Sequence, residues 1–122
     1  MLRIGAGAVK AGGHYSAAVV ANGFVFVSGQ GPIDPVAGRA PDGFAAQLRQ
    51  TLANVRTVLE KAGARMEDVV KVNAYLADIT RFAEYDAVYQ EFFPGDPPAR
   101  TTVGAQLAGI QVEVDCVALL PH

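Results

Sequence analysis

Ser16-Ala17-Ala18-Val19-Val20-Ala21-Asn22-Gly23-Phe24-Val25-Phe26-Val27-Ser28 reads as two strands around a two-residue turn. Asn22-Gly23 suits a type I′ turn, in which both central residues need φ > 0, and the β-branched and aromatic residues on either side favour a pleated strand. Strands over Ser16 to Ala21 and Phe24 to Ser28 are therefore expected to pair as an antiparallel hairpin.

Outward from the hairpin the period changes. From Phe44 the apolar residues recur at Leu48, Leu52, Val55, Leu59 and Ala62, with Arg49, Gln50, Asn54, Arg56 and Glu60 on the other side. This spacing predicts an amphipathic helix, with Asp42 as N-cap and Gly63 as a left-handed C-terminal cap. Asp68 to Leu76 alternates, Val70, Val72, Ala74 and Leu76 on one face and Lys71, Asn73 and Tyr75 on the other, as a strand does. Thr80 is expected to cap a second helix carrying Phe82, Tyr85, Val88, Tyr89 and Phe92, which Pro94-Gly95 ends. Arg100 to Ala105 and Ile110 to Leu119 supply two last strands. The order β-β-α-β-α-β-β predicts an α+β fold, one domain over residues 1–122. A single mixed β-sheet has both helices on one face and right-handed crossovers.

That leaves the other sheet face. Phe24 to Val27 and Val117 to Leu120 are apolar at consecutive positions, so both faces call for burial while two helices cover one. A homo-oligomer closing over the second face follows as an expectation. Ten Lys and Arg against twelve Asp and Glu leave a net charge of −2, which offers no bulk attraction for nucleic acid or an anionic membrane. No apolar stretch is long enough for a membrane-spanning helix, and Arg3 and Lys10 among small residues do not resemble a secretory signal. A cytoplasmic location is expected. Cys116 is the single cysteine, expected as a buried free thiol.

Chemistry concentrates at a few positions. Pro97-Pro98 restricts the backbone entering Arg100, and Thr101, Thr102 and Val103 extend it, so the guanidinium is a rigidly mounted fork suited to a carboxylate or phosphate. A strand-end ion pair accounts for the same residues. Glu113 and Asp115 share one strand face, either a solvated face or, near Arg100 in an apolar site, a holder of water and protons. A simple hairpin through Ala108-Gly109 would not set Arg100 opposite Glu113. Gly12-Gly13-His14-Tyr15-Ser16 places a phenol next to flexible backbone, for a ligand or for interface packing. Ser28-Gly29-Gln30-Gly31 ends a strand with exposable N–H groups, yet no nucleotide-loop pattern accompanies it, and His14 has no evident metal partner.

Gly13-His14-Tyr15-Ser16, Ser28-Gly29-Gln30, Tyr89-Gln90-Glu91-Phe92-Phe93, Pro98-Ala99-Arg100-Thr101 and Val112-Glu113-Val114-Asp115 resemble, in order and spacing, the Rid (YjgF) family over nearly the whole chain. The resemblance implies a chorismate-mutase-like subunit and a homotrimer with clefts between subunits. In its deaminase branch it implies that Arg100 binds the carboxylate of a 2-imino acid while Glu113 and Tyr15 place water and protons. Ser28, Gly29, Gly31, Asp86 and Thr102 would line the pocket. The implied reaction is hydrolysis to a 2-keto acid and ammonia, with no metal or cofactor. Asp86 stands where that branch commonly has Asn, His14 replaces a usual Pro, Ala17 a usual Gln, and Thr102 stands where some members have Cys. Two other readings remain: a non-catalytic trimer holding a small carboxylate, and an endoribonuclease or translation inhibitor, which the acidic balance disfavours.

Overall fold

Residues 1–5 and 12–121 are described by a computed structural model; Lys10 and His122 lie outside them. Six strands form one mixed sheet: β1 (Leu2–Ile4), β2 (Ala18–Ala21), β3 (Phe24–Gln30), β4 (Val69–Leu76), β5 (Ala99–Gly104) and β6 (Val112–Leu119), with helices α1 (Phe44–Lys61) and α2 (Phe82–Phe92). Their order across the sheet is β1-β2-β3-β6-β4-β5. Every expected strand and helix is present. β1 is an addition: three residues on an edge, exposed Leu2 and Arg3 and half-buried Ile4, are too short a run to show alternation, and Arg3 simply pairs with Val19.

The hairpin turns as its dipeptide requires, Asn22 at φ 51° and Gly23 at φ 79°. The last two strands do not form a hairpin. β6 is inserted between β3 and β4, antiparallel to both, and β5 runs parallel to β4 on the far edge. An antiparallel strand placed centrally is paired on both sides and buries Val112, Val114, Cys116 and Ala118 beneath α1.

Helix α1 packs Leu48, Leu52, Val55, Val58 and Leu59 against the sheet, each such side chain contributing about 1.5–3 kcal/mol on burial. Its N-cap is Gly43 at φ 91°, where Asp42 was expected, because only glycine reaches that geometry without strain. Its C-terminus meets expectation. Gly63 at φ 90° donates to Glu60 O and Ala64 N–H reaches back to Leu59 O, a Schellman motif. Likewise Thr80 does not cap α2; Asp78 accepts from Thr80 N–H and hydroxyl, opening a 3-10 turn that runs into the helix.

A register shift between Val69 and Lys71 corrects the expected faces of β4. Val69 turns inward and Val70 outward, while Val72, Ala74 and Leu76 keep the buried face. Away from the helices, Phe24, Phe26, Val103 and Leu119 remain exposed, Phe26 at 46 %. Among the described residues, the second sheet face is thus uncovered, as the apolar runs anticipated.

Candidate functional site

Arg100 pairs in register with Val72, which is fully buried beneath the helices, so its side chain rises on the helix face. There α2 receives it. The guanidinium carbon lies 4.6 Å from the ring centre of Tyr89, 4.9 Å from Tyr85 and 5.5 Å from Phe82. Nη1 donates to Asp86 Oδ1 at 2.9 Å. Stacking on aromatic faces holds the cation in one plane while leaving its remaining N–H groups for other acceptors.

Burial raises the phenol of Tyr85 above its ordinary titration range and that of Tyr89 well above it, so both rings stay neutral beneath the charge. Tyr85 also bonds Thr102 at 2.7 Å, which ties α2 to β5 two residues beyond Arg100. An open cleft of about 550 Å³ is lined by this cation together with Asp86, Tyr89, Gln90, Phe93, Pro97, Pro98 and the Pro94-Gly95 turn. The prolines that restrict the backbone before Arg100 therefore line the same cleft.

Glu113 stands elsewhere. It pairs with Tyr75, three residues along β4 from Val72 and hence on the opposite face of the sheet from Arg100. Its side chain lies across Gly29, where an added Cβ would fall 2.6 Å from Oε2. Gly29 belongs to the stretch of β3 where pairing with β6 is irregular, so the missing side chain is what admits the carboxylate. Next to it Ser28 donates its hydroxyl to Ser16 O at 2.7 Å, drawing the segment before β2 against the end of β3.

Asp115 is not an equivalent second acid. Asn73 Nδ2 and Tyr75 hydroxyl donate to its two oxygens, each at 2.9 Å, and the bond to Asp115 raises the Tyr75 phenol. Among the described residues, no hydrogen bond engages the Glu113 carboxylate, which leaves it the available acid of that face.

The expected constellation thus divides into two groups. Arg100, Asp86 and Thr102 gather on the helix face; Glu113, Gly29 and Ser28 gather on the open face. Tyr15 is half-exposed, its hydroxyl accepting from Gly12 N–H at 3.1 Å, with no bond to Arg100 or Glu113 among the described residues. Gly31 serves the scaffold: its carbonyl, with that of Ile33, accepts from buried Asn54. Tyr85 and Tyr89, legible as part of the recurring face of the second helix, are buried in the core and prove to be the cation's seat as well. Nothing in helical periodicity distinguishes those two duties.

The family described as Endoribonuclease L-PSP matches residues 5–120. This chain belongs to the Rid (YjgF) family. A RutC family protein of Aquifex aeolicus is 42 % identical over 105 residues, 84 % of each chain. The YjgF gene product of E. coli superimposes with a TM-score of 0.86 at 33 % identity, covering 96 % of this chain and 93 % of the other. RidA from the Antarctic bacterium Psychrobacter sp. PAMC 21119 gives 0.86 at 35 % identity over 90 % and 91 %. The Rid-family sheet with two helices is therefore this chain's architecture, including the placement of β6 between β3 and β4.

Proposed function

We propose that this Rid-family chain hydrolyses 2-imino acids to 2-keto acids and ammonia, in a cleft completed by a second copy of the chain within a homotrimer. The observation that carries the reading is Arg100, seated on three aromatic rings in the lining of the cleft, with Nη1 alone engaged by a hydrogen bond among the described residues. A planar fork in that setting fixes the carboxylate of a small planar acid. Support for a second copy comes from the division of the site across two sheet faces and from the uncovered apolar face, which a partner subunit would bury.

An imine conjugated to a carboxylate is electrophilic at C2. Water held by Glu113 adds there, its proton passing to the carboxylate, while the C=N electron pair moves onto nitrogen and takes up a proton. The resulting carbinolamine loses ammonia as its hydroxyl proton leaves and the C=O bond forms. Orientation and proton transfer account for the whole task.

Imine generated from an amino acid by an amino-acid oxidase, with semicarbazide as trap, provides the test. Adding the protein should lower semicarbazone formation while keto acid accumulates. Arg100→Ala should lose the effect, at a cost on the order of 2–5 kcal/mol in transition-state binding. Unchanged trapping, or an Arg100→Ala variant as active as the parent, overturns the proposal.

A further inference from the structure

Asp86 does more than hold an arginine. It lies in the middle of α2, with its Oδ1 on Arg100 Nη1 at 2.9 Å and, among the described residues, its Oδ2 meeting only a long 3.3 Å contact from Gln90 one turn on. Arg100 is fixed against three rings and cannot swing aside without losing them. The cleft therefore offers a ligand two adjoining groups of opposite sign: spare guanidinium donors and an under-used carboxylate oxygen.

Resting on the imine-hydrolase reading, we infer that Asp86 is a specificity-determining residue that selects ligands bearing a protonated nitrogen one carbon from their carboxylate, and rejects the corresponding keto acid. In a protonated 2-imino acid the carboxylate and the N–H group are joined through C2. The ligand can then place its carboxylate on Arg100 while its N–H donates to Asp86, reproducing in reverse the charge order of the protein's own pair. The protonated form is also the more electrophilic one, so its selection favours the reactive species. The keto acid presents a carbonyl oxygen at the same position. Two acceptors then face one another beside a second negative charge, and the product is expelled. An asparagine here would offer a donor to that oxygen and could not discriminate by charge.

Binding constants for alanine, which carries carboxylate and protonated nitrogen in this relation, and for pyruvate test the inference by calorimetry at fixed ionic strength. The wild-type chain should favour alanine. Asp86→Asn and Asp86→Ala should each raise pyruvate affinity and lower alanine affinity by roughly tenfold or more, the effect of losing one hydrogen bond to a charged group in a partly solvated cleft. Using both variants separates the lost charge from the new amide donor, and the half-exposed position makes retained folding checkable by melting temperature. An unchanged alanine-to-pyruvate ratio in both variants, with both ligands lost in Arg100→Ala, overturns the role of Asp86 and leaves the arginine site standing. Binding of both ligands unaltered in Arg100→Ala overturns the carboxylate anchor and this inference with it.

Discussion

Arg100 and Glu113 stand on opposite faces of one sheet, because their partners on β4, Val72 and Tyr75, are an odd number of residues apart. No side-chain rotation brings them together. If they serve one reaction they do so from different copies of the chain. Mixing inactive Arg100→Ala and Glu113→Ala variants after denaturation and refolding should therefore restore activity. Random assembly creates intact clefts at about a quarter of the wild-type number, since each needs its arginine from one variant and its glutamate from the other. A mixture as inactive as its components would show that the two residues do not meet across subunits.

Gly29 gives a sharper probe of Glu113 than removal of the carboxylate. A methyl group there would meet Oε2 at 2.6 Å and Cδ at 2.9 Å, both at the mobile end of the side chain. Gly29→Ala should displace the carboxylate without disturbing the fold. Imine hydrolysis should fall at least tenfold while stability changes by no more than about 1 kcal/mol, since glycine-to-alanine changes also stiffen the unfolded chain. Paired kinetics and thermal melting check this, and a large drop in melting temperature would place the clash in the backbone instead.

Asp115, read together with Glu113 as a pair of acids, is bound on both oxygens. Asp115→Ala removes the acceptor shared by Asn73 and Tyr75, and the cost should be on the order of 1–3 kcal/mol. The Tyr75 phenol, raised chiefly by its bond to Asp115, should titrate at lower pH in the variant. Ultraviolet difference spectra across alkaline pH follow that shift directly, and an unchanged tyrosine titration would show that the bond does not form in solution.

How much of this was legible depended on whether the deciding interaction was local. Asn22-Gly23 specifies its turn through its own φ angles, and Leu48, Leu52, Val55 and Leu59 specify a buried stripe through spacing alone. Position 54 shows the limit. Asn54 falls on the polar side by pattern, yet it is buried because it holds the carbonyls of Gly31 and Ile33, partners more than twenty residues away. Val70 likewise alternates correctly on paper, and a bulge against β6 turns it outward.

Strand order carried the larger loss. Nothing in residues 99–119 says that β6 leaves its neighbour in sequence to enter between β3 and β4, and that insertion decides which face each site residue occupies. Hence Arg100 and Glu113 were legible as candidates, and as residues a simple hairpin would not set opposite one another, while their placement on opposite faces of the sheet was not. The ion pair of Arg100 was foreseen only in kind; that its partner would be Asp86, about one turn into α2, depended on the parallel pairing of β5 with β4.

Cys116 lies on the buried face of β6, paired with Val72 and Val27, and burial pushes its thiol up to about 12. Thiolate is the reactive form, so the native protein should resist aromatic disulfide reagents at pH 8, whereas the denatured chain reacts promptly. The same shift has a thermodynamic consequence. Since the folded state raises this acid's pKa above its ordinary 9.0, the unfolded chain ionises first. The contribution is fully present below pH 9 and is lost as pH climbs toward 12, at up to about 1.4 kcal/mol per pH unit. Cys116→Ala should flatten that alkaline decline even as it lowers stability at neutral pH through lost packing. Denaturant titrations at pH 8 and 10.5 on both proteins compare the slopes, and equal declines would assign the alkaline loss to the tyrosines alone.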